Sequence, residues 1–252
     1  MGGFLRRYPM PLVFLVLFAA SGFVQLYLLS EPARRALIAW ASTNLDNLSW
    51  NPVGTLVTSA FVAEGEHAAQ LVQLAVMALG LFPVARRFGN LRGVLLVAAA
   101  HVAGTLVSEG LAAVRLELGS LTASVRDISD VGPSYVLAAA LVATILFGPG
   151  RVPRVLAAGA LAVLSPYLFE GLTSLDVAAV GHVVAMATGT ALGALMILRD
   201  RRRTRFVLPA LAKVGPGPAM SAASPAYARR LRKARPAPAP TAPTPAPLPA
   251  AA

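Results

Sequence analysis

The sequence predicts an all-α, polytopic membrane protein, a bundle of six transmembrane helices. Three observations carry that prediction. Of 252 residues, 56% are hydrophobic and 13% charged, where soluble domains carry about 25% charged residues. Several apolar runs reach or approach the ~20 residues that cross a bilayer core. The basic residues fall between those runs in an alternating pattern, so one side of the layout is arginine-rich. A net charge of +11 would by itself suit nucleic acid, but this placement argues for topology, and no nucleic-acid partner is expected. With no cysteine, disulfides, thiolate catalysis and Cys-ligated metal drop out. Three scattered histidines do not make a zinc site without acidic partners at ligand spacing, so neither metal nor cofactor is expected.

Residues 1–9 form a short N-terminal segment with Arg6 and Arg7, and 10–198 form the membrane domain. The first span is Met10–Leu29. It stays apolar through Phe23, Val24, Leu26 and Leu28, longer than the ~7–15 residues of a signal-peptide core, and reads as a retained anchor. Glu31-Pro32 opens a helix, since proline suits a first turn. Leu37, Trp40, Ala41, Leu45 and Leu48 recur near helical spacing, the pattern of an interfacial amphipathic helix anchored by Trp40 and Trp50. A plain loop helix packed on protein fits the same pattern.

The second span runs from about Glu66 to Val84 and ends at Arg86-Arg87; the third runs from Leu91 to about Ala113. A polar connector, Gly119–Asp130, leads to the fourth span, Val131–Phe147, closed by Gly148-Pro149-Gly150. The fifth, about Val155–Phe169, is broken by Ser165-Pro166, a break that a helical bundle tolerates. The sixth is Val177–Leu198. Residues 199–252 then read as a basic, Pro/Ala-rich disordered tail, with a cluster at Arg229–Arg235.

Arg6, Arg7, Arg86, Arg87, Arg92, Arg151, Arg154 and Arg199–Arg205 share one side of six alternating spans, and nearly every acid lies on the other. The positive-inside rule makes both termini cytoplasmic in a multi-pass protein of a bacterial plasma membrane. Orientation converts residue number to depth at ~1.5 Å per residue. Ser134 enters from the outer side in the first turn of the fourth span, and His182 enters from the same side under two turns into the sixth. His101, entering from inside, falls near the midplane, and His67 sits at the outer mouth of the second span. An imidazole inside a span is costly and marks function by default; kept neutral by burial, it accepts a proton from a hydroxyl. The plainer alternatives are a serine bonded to the carbonyl one turn back and a histidine bonded across helices as packing glue. Gly181, Ala185, Gly189 and Gly193 form a small-residue stripe beside His182 that permits close helix packing, with Ala138, Ala139 and Ala140 offered by the fourth span.

These features together resemble the rhomboid intramembrane serine proteases over about residues 10–198. The resemblance rests on six spans with both ends inside, a long first outer loop, Ser134 heading the fourth span and His182 in the sixth. Thr58-Ser59-Ala60-Phe61, Arg86-Arg87-Phe88-Gly89 and His182-x-x-Ala185-x-x-x-Gly189 are similar to the family's wording. It implies a Ser134–His182 dyad without an acid, cleaving single-span membrane clients near the outer face, with Gly132 freeing the turn and His67 as auxiliary oxyanion donor. Two positions depart from the pattern. Tyr135 stands where the family's serine motif has glycine, and Leu71 where its second span has asparagine. They motivate the second reading, a non-catalytic relative that binds or escorts membrane helices.

Overall fold

The computed structural model describes residues 7–213, with side chains described through residue 202. Met1–Arg199 is one compact unit; the Pro/Ala-rich tail from 214 onward lies outside the described residues. Every regular element described is helical. The first span is α1, Pro9–Phe23, continued by a π-helical turn over Val24–Leu28. The outer loop holds three short helices, α2 (Glu31–Ala41), α3 (Leu45–Trp50) and α4 (Pro52–Thr58). Then come α5 (His67–Phe88), α6 (Asn90–Glu117), α7 (Ser134–Phe147), α8 (Arg151–Leu168) and α9 (Val177–Lys213).

Among the described residues, four helical segments are long and apolar enough to cross a membrane: Pro9–Leu28, His67–Phe88, Asn90–Glu117 and Val177–Arg202. Of the six spans read from the sequence, the fourth and fifth are the two that fall short of this measure. The 14 residues of α7 rise about 21 Å, less than a ~30 Å hydrocarbon core. A short helix is tolerable there because α7 is enclosed by protein. Its residues Tyr135–Leu141, Ala143 and Thr144 are buried, and it packs on α5, α6 and α8. A helix buried on all sides is apolar all round, which explains why its sequence carries no amphipathic stripe.

Local chemistry sets the ends. Asn44 and Asn51 cap α3 and α4 by accepting from the Asn47 and Gly54 N–H groups. Gly89, at φ +85°, breaks the path between α5 and α6, which a side chain with a Cβ would resist. Pro166 removes the N–H that would bond the Ala162 carbonyl, and the Ser165 hydroxyl donates to that same carbonyl at 2.8 Å. Thr144 of α7 reaches across to the Gly80 carbonyl at 3.0 Å. Trp40 and Trp50 both face outward, 47% and 60% exposed, consistent with anchors at a lipid headgroup layer.

Candidate functional site around Tyr135

The second residue of α7 is the hub of the buried polar region. Tyr135 is 2% exposed, and its ring stands between two imidazoles. His101 of α6 lies 5.9 Å away between ring centroids, and His182 of α9 lies 5.1 Å away with the planes at 73°. Glycines make the room: a Cβ on Gly181 would land on the tyrosine ring, and one on Gly104 would come within 3.3 Å of it.

The phenol hydroxyl donates to the Asp130 carboxylate at 3.1–3.2 Å. Asp130 is in turn fastened to the outer loop. The Thr43 hydroxyl donates to its carboxylate at 3.1 Å, the Thr43 N–H to its carbonyl at 3.0 Å, and its own N–H donates to the Ser42 hydroxyl at 2.8 Å. Burial pushes the Asp130 carboxyl above its ordinary value, against the opposing pull of the bonds from Thr43 and Tyr135. On α6, polar residues at i, i+4 and i+8 share a face. His101, Thr105 and Glu109 are all buried there, and His101 Nδ1, Thr105 Oγ1 and Glu109 Oε2 have no protein partner.

The two histidines are in opposite protonation geometries. His101 Nε2 sits 3.0 Å from the Leu56 carbonyl and 3.2 Å from the Ser59 hydroxyl. A carbonyl only accepts, so Nε2 carries the proton, and this imidazole cannot take one from Ser59 through that nitrogen. His182 Nδ1 sits 2.8 Å from the Leu168 carbonyl, so the proton is on Nδ1. Its Nε2 then carries a lone pair, and that atom is buried without a partner. Of the two rings, His182 is the one set to act as a base.

Ser134 is the first residue of α7 and is half-buried. Among the described residues, no hydrogen bond joins its hydroxyl to His182; the ring that packs on His182 belongs to Tyr135. No side chain caps α7, and its first backbone bond is Leu137 N–H to the Pro133 carbonyl at 2.8 Å. The N–H groups of Ser134, Tyr135 and Val136 precede that bond and are the open donors of this helix end. Gly132 adopts φ +120°, and its N–H is taken by the Ser59 carbonyl at 2.8 Å. It shapes the turn and has no hydrogen left for an oxyanion. His67 begins α5, is exposed, and packs edge-on against Tyr27 of the π-turn at 5.1 Å.

Along the small-residue stripe of α9, Gly181 abuts Tyr135, Ala185 is fully buried beside Ala139 and Ala100, and Gly193 abuts Phe147. At Gly189 a Cβ would stand 3.2 Å from Ala139. Sequence reasoning placed His101 at another depth and did not bring Asp130, Glu109 or Ser59 into the site. The usable signal was the His101, Thr105, Glu109 spacing, a polar stripe in an otherwise apolar helix.

Long apolar helices and buried histidines around Tyr135 outline a helical membrane protein, and comparison gives its family. Residues 3–203 match the family described as rhomboid-like protein, and the chain belongs to that family. No curated protein and no solved structure matches it.

Proposed function

We propose that the protein is a rhomboid-type intramembrane serine endopeptidase, acting on single-span membrane clients near the outer face. The membrane unit then has six spans with both termini cytoplasmic, α7 and α8 being the two short ones, in a bacterial plasma membrane. The carrying observation is the His182 ring: pinned by the Leu168 carbonyl at Nδ1, it leaves a buried, unpartnered acceptor at Nε2. The Ser134 hydroxyl attacks the scissile carbonyl as its proton passes to Nε2, and the imidazolium returns it to the leaving amine. The open N–H groups at the start of α7 are the donors for the oxyanion. Serine–base contacts in unliganded enzymes are often long and tighten when substrate is bound.

A second reading, a non-catalytic family member that holds client helices, is favoured by one observation: Tyr135, not Ser134, occupies the contact with His182. Cleavage of a model single-span client in vesicles separates the two. Ser134→Ala and His182→Ala should each reduce cleavage by about 10⁴-fold or more at unchanged expression. Client co-purification without any cleavage by the wild type would favour the second reading.

A further inference from the structure

An apolar slot of about 600 Å³ lies between α1, α4 and α6. Val13, Leu17, Val94 and Ala98 line its sides, and at one end Leu56 and Val57 of α4 form a roof beside His101. The other end opens at Pro9 and Asn90. The two helices are tied there, since the Asn90 side chain donates to the Arg7 carbonyl at 3.0 Å and accepts from the Met10 N–H at 3.3 Å.

Length and charge choose the occupant. From Leu91 to Val102 the α6 wall rises about 16 Å, half of a ~30 Å hydrocarbon core. A membrane-spanning helix would have to continue past the roof, whereas a single acyl chain ends there. At that open end stands Arg7, which is exposed and whose carbonyl is the one Asn90 holds. Its charge suits an anionic headgroup at that surface. We propose that this slot binds one acyl chain of an anionic phospholipid, drawn from the leaflet at the arginine-bearing end. The site is independent of the proposed chemistry at Ser134.

The test uses the full chain in micelles holding equal dioleoyl phosphatidylglycerol and dioleoyl phosphatidylcholine, with retained lipid read by native mass spectrometry. The wild type should keep phosphatidylglycerol in preference. Val94→Trp and Ala98→Phe fill the slot from exposed positions, and each should lower retention about ten-fold, or ~1.4 kcal/mol. Arg7→Gln should leave retention in place and weaken the preference. Three results overturn the proposal: no retained lipid, equal retention of both lipids by the wild type, or slot-filled variants that hold as much as the wild type. Capture of a client helix on this face in place of lipid also overturns it.

Discussion

On one side of Tyr135 a serine and a histidine are hydrogen-bonded, Ser59 to His101 at 3.2 Å. On the other side Ser134 and His182 make no such bond. Proximity alone would select the first pair as the reactive one, and protonation reverses the choice. The Leu56 carbonyl forces the proton of His101 onto the nitrogen that faces Ser59, while the Leu168 carbonyl draws the proton of His182 away from the nitrogen left vacant. One backbone carbonyl thus makes the first imidazole a structural clasp, tying the end of α4 to α6. Another leaves the second with a buried, unpartnered acceptor at Nε2. The lesson is that a histidine's second partner decides what its first nitrogen can do.

Breaking the wall between the two sides should cost most. Tyr135→Ala empties a fully enclosed aromatic position and leaves the Asp130 side chain with Thr43 as its remaining side-chain donor, and should lower unfolding free energy by about 3–5 kcal/mol in a reversible detergent titration. Gly181→Ala strikes the His182 side alone, because the new methyl meets the tyrosine ring. A loss of about 1–3 kcal/mol is expected from overpacking. Ser59→Ala strikes the His101 side alone and removes a single buried contact, about 0.5–1.5 kcal/mol. On the proposed protease reading it should leave client cleavage within a few-fold of wild type, since the protonated His101 Nε2 cannot take a proton from Ser59.

The smallest effect is the dependence on pH. Burial raises the Asp130 carboxyl above 3.8, so the folded state holds a proton that the unfolded chain releases. Its contribution is complete below that ordinary value and is lost as pH rises through the folded-state value. Unfolding midpoints should therefore fall as pH climbs out of the acidic range, and Asp130→Asn should flatten that slope. An unchanged slope in the variant would remove Asp130 as its source.

Much of this arrangement was legible in the residues. Apolar runs gave the long helices and the α9 stripe marked a face for close packing, while the fourth span was read from Val131 and α7 begins at Ser134. What stayed hidden was direction around the helix axes. Depth arithmetic treats residues as heights, and by height His101 and His182 belong to different layers. A tyrosine ring lying between α6 and α9 touches both, so height did not exclude a meeting. Tyr135 itself read only as a departure from the family's glycine, because one sequence does not show that Gly104 and Gly181 leave room for its ring. The use of the Gly132 N–H was equally out of reach, since its acceptor, the Ser59 carbonyl, lies 73 residues earlier in the chain. The short α7 was the other surprise: its composition reads as a span, and its 14 residues, buried among α5, α6 and α8, are fewer than a span needs by length.

The most direct measurement is covalent labelling of Ser134 by a fluorophosphonate in the folded, membrane-embedded protein. The probe reads nucleophile activation with no client required. Labelling should appear in the wild type and vanish in Ser134→Ala and His182→Ala. It should persist in His101→Gln, whose amide can still donate to the Leu56 carbonyl. A wild type that stays unlabelled, or labelling that survives the loss of His182, would contradict the assignment of the base to that ring.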